Sequence, residues 1–115
     1  MKSWQIWHNP RCSKSRETLK LLQSKKIEPE VVLYLEQPPS VKQLSDVLKA
    51  LKLSPKDLLR EKEPVFAKLD LDLDDDKAVI KAMSENPVLI ERPIVLKDKR
   101  AVLGRPPEAV LTLLG

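Results

Sequence analysis

The run WQIWH at residues 4–8 is aromatic and β-branched and stops at Asn9-Pro10, which predicts a strand ended by a turn. Over residues 13–26 the apolar positions Leu19, Leu21 and Leu22 lie among charges, the pattern of a helix, with Ser13 or Ser15 as its start signal. VVLYL at residues 31–35 is a near-continuous apolar run closed by Gln37-Pro38-Pro39 and reads as a strand buried on both faces. Strand, helix and strand make a βαβ unit, so the first two strands are expected to be parallel.

The next block changes period. Ser40-Val41-Lys42-Gln43 is a capping box, and Val41, Leu44, Val47, Leu48 and Leu51 follow at helical spacing. Ser54-Pro55-Lys56-Asp57 starts a short helix with proline at its first position and an acid in its first turn. It is expected to end near Leu58-Leu59-Arg60, with another helical turn over Pro64–Asp70. The acidic run at 74–76 then precedes Ala78, Val79, Ala82 and Met83 in a helix that Asn86-Pro87 stops.

Past residue 87 the pattern is strand-like again. IVLK (94–97) and AVLG (101–104) flank Asp98-Lys99-Arg100 as a predicted hairpin, with Arg100 in the turn facing solvent. Pro106-Pro107-Glu108 opens a closing helix carrying Val110, Leu111 and Leu114. The string βαβ, helical block, ββα resembles the thioredoxin/glutaredoxin plan, an α/β fold on a mixed sheet. Residues 1–115 are read as one such domain, with a helical insertion over about 40–87. In that plan a reactive Cys follows the first strand and a proline faces it. Cys12 and Pro93 fill those places.

Composition narrows the chemistry. The chain has one Cys and one His, which excludes an internal disulfide, a CxxC pair and a Cys/His metal cluster, so no metal and no bound cofactor are expected. No secretory h-region and no run long enough to span a membrane is present, so a reducing cytoplasmic setting is expected, with no membrane partner. The net charge of +4 hides five Asp within residues 70–76 and a basic stretch over 92–105. Only four aromatics are present, none interleaved with basic residues, which favours a small anion over nucleic acid as partner.

Cys12 lies between a strand end and a helix start, where unpaired N–H groups favour a thiolate. His8, Ser13 and Ser15 are near enough in sequence to support it, the serines by donating to the sulfur. The competing reading is a small buried Cys, but Pro-Arg-Cys-Ser-Lys-Ser makes a poor core. A thiolate attacking an anion needs cations, and Arg60, Arg92, Arg100 and Arg105 are the arginines outside the loop. With no second Cys, an external thiol must complete any redox cycle. The Cys-x5-Arg phosphatase spacing fails, because the residue six places after Cys12 is Thr18.

Five blocks carry a family resemblance: His8-Asn9-Pro10-Arg11-Cys12 with Ser15-Arg16 and Thr18-Leu19; Tyr34-Leu35-Glu36 with Pro38-Pro39; Leu58-Leu59-Arg60; Glu91-Arg92-Pro93-Ile94-Val95; and Gly104-Arg105-Pro106-Pro107. In this order they resemble the glutaredoxin-dependent ArsC-type arsenate reductases, over essentially the whole chain. The resemblance implies Cys12 as nucleophile and Arg60, Arg92 and Arg105 as catalytic oxyanion-binding residues. It implies His8 and Ser15 as thiolate-stabilising residues and Pro93 as a cis-proline. It further implies arsenate as substrate, glutathione as co-substrate and glutaredoxin as partner, in a monomeric enzyme of arsenical resistance. The chain lacks the C-terminal extension of the longer plasmid-type enzymes and is similar to a shorter chromosomal subgroup. Two other readings share the scaffold. One is a glutathione-linked thiol reductase acting on another substrate. The other is an Spx-like regulator that binds RNA polymerase, although Ser15 stands where a redox-sensing CxxC would have its second Cys.

Overall fold

The computed structural model describes residues 3–114, so the outermost ends of the predicted 1–115 domain lie outside the described residues. Two compact units form: Met1–Tyr34 with Arg92–Gly115, and Leu35–Glu91.

The first unit is a four-stranded sheet in the order β2-β1-β3-β4, built from β1 (Trp4–Trp7), β2 (Glu30–Val32), β3 (Ile94–Lys97) and β4 (Arg100–Leu103). β1 and β2 run parallel, while β1 pairs antiparallel with β3 and β3 with β4. Helix α1 (Ser13–Ser24) makes the crossover between β1 and β2, and a 3-10 helix at Pro107–Leu114 follows β4. Ile6, Leu22, Val95, Val110 and Leu113 form the core, with Trp4, Leu19, Leu21, Ile27 and Val102 packed at its margin. Burial of these side chains, at roughly 1.5–3 kcal/mol each, is the main force holding helix to sheet. α1 ends two residues short of the predicted span, because Lys26 turns to a left-handed φ of 62° and Ile27 N–H bonds back to Leu22.

Two expectations are corrected. VVLYL is not a five-residue strand buried on both faces. β2 covers Glu30–Val32 at the sheet edge, and Val31 is 44% exposed. Tyr34 is fully buried, but in the turn after the strand. Arg100 is not in the hairpin turn. It opens β4, and its guanidinium donates to the Leu113 carbonyl at 2.9 Å, while Asp98, at φ 56°, makes the turn.

The second unit carries α2 (Val41–Leu51), α3 (Pro64–Leu69) and α4 (Asp76–Glu85), with 3-10 turns at Pro55–Leu58 and Pro87–Leu89. The capping box forms as read: Ser40 Oγ accepts from Gln43 N–H at 3.1 Å, and Gln43 Oε1 accepts from Ser40 N–H at 2.8 Å. Asp75, from the acidic run, caps α4 by accepting from Ala78 N–H. α4 packs against α2 and both 3-10 turns. Leu59 and Ile90 form an isolated antiparallel bridge that joins the middle of the unit to its end. The architecture is the mixed-sheet, thioredoxin-like α/β fold that the order of elements predicted.

Candidate active site

The loop between β1 and α1 is a turn built by its own sequence. Pro10 supplies the fixed φ at its second position, and Cys12 N–H closes it on the Asn9 carbonyl at 3.0 Å. Asn9 Oδ1 accepts from Arg11 N–H at 3.0 Å, an Asx turn within the first. Arg16 Nη1 donates to the Pro10 carbonyl at 2.9 Å and ties the loop to the helix. Cys12 thereby becomes the N-cap residue of α1, 8% exposed, with extended backbone.

At the cap the sulfur meets two kinds of donor. Burial pushes the Cys12 thiol up. Against that, the Ser15 N–H, a hydrogen bond from the Arg92 side chain, the Arg92 charge and the Lys14 N–H all pull it down, and the balance lies below the ordinary thiol value. The helix start and one arginine therefore overcome desolvation and favour the nucleophilic form.

Ser15 assists differently from the expectation that its hydroxyl donates to the sulfur. That hydroxyl lies 2.6 Å from His8 Nδ1 and accepts from Asn9 N–H at 3.0 Å. From Ser15 it is the backbone N–H at the helix start, not the hydroxyl, that lowers the Cys12 thiol. His8 is buried, and burial first and the Arg16 charge second hold it below the usual histidine range. The neutral imidazole thus locks Ser15, and Ser15 locks the turn.

Arg92 directly precedes Pro93, ahead of β3, and Arg105 lies just past the end of β4. The Arg92–Pro93 and Arg105–Pro106 bonds are both cis. Arg105 is exposed, and its Nε donates to the Arg92 carbonyl at 3.0 Å. Cys12, Arg92 and Arg105 are therefore linked in sequence of contact within one unit. Arg60 belongs to the other unit. There its Nη1 donates to Glu91 at 2.7 Å and its Nε to Glu63 at 3.2 Å. Burial lowers and these carboxylates raise its affinity for the proton, with the carboxylates prevailing.

Several contributors were given no role of their own from sequence, although Asn9, Thr18, Glu91 and Gly104 stand in the family blocks. Asn9 shapes the turn, and the Asn-Pro dipeptide was its signal. Glu91 and Glu63 hold Arg60, and Gly104 lies tight against both Thr18 and Pro93. Gly104 was quoted only as part of its block, and its further signal is that it is the only glycine before the last residue. Among the described residues no cluster of three His, Cys, Asp or Glu is disposed to hold a metal ion, and no helix is long and apolar enough to cross a membrane.

The ArsC family model matches residues 7–113. The chain is 50% identical over 117 aligned positions to the uncharacterized protein YfgD of Escherichia coli strain K12, covering 99% of this chain and 98% of that one. It is 47% identical to the arsenate reductase of Haemophilus influenzae, covering 95% and 97%. Among solved structures, the arsenate reductase from Vibrio cholerae superposes with a TM-score of 0.87 at 45% identity, covering 95% of each chain. A match running from Trp7 at the end of β1 to Leu113 in the last helix takes in both units, and the protein belongs to the ArsC family.

Proposed function

We propose that this protein reduces arsenate to arsenite. The observation that carries the reading is the Cys12 sulfur at the head of α1, hydrogen-bonded by Arg92 and held below its ordinary pKa, in a chain of the ArsC family. The Cys12 thiolate attacks arsenic(V), a sulfur–arsenic bond forms, and one arsenate oxygen leaves as water after taking up protons. Glutathione thiolate then attacks the Cys12 sulfur. The sulfur–arsenic bond breaks, its electron pair stays on arsenic, and arsenic(III) departs as arsenite. Two thiols have been oxidised to a Cys12–glutathione disulfide, and two electrons have gone to arsenic.

The chain has no second Cys, so an outside thiol must reopen that disulfide. Glutaredoxin is the proposed agent. Arg92 and Arg105 take substrate oxygens beside the sulfur, where planar guanidinium groups suit an oxyanion and offset its charge against the thiolate. Arg60 is proposed as a third oxyanion-binding residue on the family resemblance. Through the Ser15 lock, His8 keeps the turn in shape. The protein acts as a monomer in the reducing cytoplasm.

The test is arsenate-dependent oxidation of NADPH with glutathione, glutathione reductase and glutaredoxin. Turnover is expected in the wild type and none in Cys12→Ser. Full activity of Cys12→Ser overturns the reading. Turnover of a glutathione mixed disulfide without arsenate turnover replaces it with the thiol-reductase reading.

A further inference from the structure

A Cβ placed on Gly104 would stand 2.7 Å from Pro93 Cγ, 2.7 Å from Thr18 Oγ1 and 3.1 Å from Thr18 Cγ2. Non-bonded carbon atoms are comfortable at about 3.5–4.0 Å, so no methyl group fits. Gly104 does not have a positive φ, and its requirement is therefore closeness rather than backbone freedom. Neither neighbour can swing away. Pro93 Cγ belongs to a buried ring. Thr18 is fully buried, and its Oγ1 donates to the Lys14 carbonyl at 2.7 Å. Gly104 N–H also donates to the Pro93 carbonyl at 2.9 Å, which fixes it to that ring's own backbone.

The two neighbours lead to the two partners of the reactive pair. Thr18 lies on α1, the helix that Cys12 caps, and Pro93 directly follows Arg92. We infer that Gly104 is a positioning residue: the missing side chain lets α1 and the Pro93 turn close on each other, and this closure sets the distance between the Cys12 sulfur and the Arg92 guanidinium. Gly104 touches neither reacting atom and acts through Thr18 and Pro93. The inference rests on the reading of Cys12 as the reacting group.

The single Cys makes the test clean, because the ultraviolet absorbance that is lost in Cys12→Ser reports the Cys12 thiolate alone. In Gly104→Ala the titration midpoint is expected to move alkaline by about one pH unit, so that the thiolate fraction on the acid side falls about tenfold. Thr18→Ala in the same chain removes one of the two obstructions, and the double variant is expected to recover part of the change. A Gly104→Ala protein that melts cooperatively and titrates like the wild type overturns the inference. If Gly104→Ala does not fold, Thr18→Ala alone decides. It loosens the same contact without adding bulk; an alkaline midpoint supports the inference and an unchanged one overturns it. No arsenate is present in this titration, so it can fail while the reductase reading stands, and the reverse.

Discussion

Arg105 Nε donates to the main-chain carbonyl of Arg92 at 3.0 Å, while the side chain of Arg92 donates to the Cys12 sulfur. One arginine therefore holds the backbone of another. Arg105 has a structural duty besides any anion it binds, and a lysine, lacking the planar fork, cannot perform both. Arg105→Lys is expected to raise the KM for arsenate about tenfold, equivalent to about 1.4 kcal/mol. It is also expected to slow alkylation of Cys12 by iodoacetamide. An Arg105 that only binds substrate leaves that alkylation rate unchanged.

Removing the Arg92 side chain leaves the desolvation of Cys12 opposed only by the N–H groups of Ser15 and Lys14. In Arg92→Met the thiol midpoint is expected to rise. The lowered midpoint of the wild type favours folding above the unfolded thiol value and loses that contribution as pH falls through the folded value. The variant should lose most of this pH-dependent stability. Thermal melts across the alkaline range, read beside the thiolate titration, check both points.

Arg60 with Glu63 and Glu91 is a half-buried ion cluster, its side chains about one-fifth to one-quarter exposed. At that exposure solvent screens the charges, and the pair is expected to be worth about 1 kcal/mol. Glu91→Gln should cost about that much in chemical denaturation. A double-mutant cycle with Arg60→Met should return a coupling of similar size. Additive effects would show that the 2.7 Å contact carries no net energy.

His8 is held below its ordinary value by burial and by Arg16, so the folded protein binds fewer protons there than the unfolded chain. Stability from this group is complete above the unfolded histidine value of 6.5 and is lost as pH falls below it toward the folded value. The slope cannot exceed about 1.4 kcal/mol per pH unit for one proton. His8→Asn should show a smaller loss of melting temperature between neutral and mildly acidic pH. An equal loss in both proteins assigns the acid sensitivity elsewhere.

The local signals of the sequence carried far. The Ser40 capping box, the Asn9-Pro10 turn, the hairpin after Pro93 and the placement of Cys12 at a helix start all depend on residues within a few positions of each other. Burial from a distance did not show in the same way. An apolar run such as VVLYL looks alike whether its side chains enter a sheet or a turn. Here Val31 stays exposed on an edge strand while Tyr34 is buried after it. The partners of Arg60 were hidden for a related reason, since Glu91 lies 31 residues away and no spacing rule connects them. Gly104 and Thr18 are 86 residues apart, and only the folded chain shows that no side chain fits between them.

Helix α1 turns Ser15, Thr18 and Leu22 inward, and all three are fully buried. The first two serve the loop and the Pro93 turn, and the third serves the core. One helix face thus divides along its length into a part that sets reactivity and a part that provides adhesion. Substitutions near its start reach the surroundings of the sulfur as well as the packing, while those near its end reach the packing alone. A single helix thus carries two kinds of selection along its length.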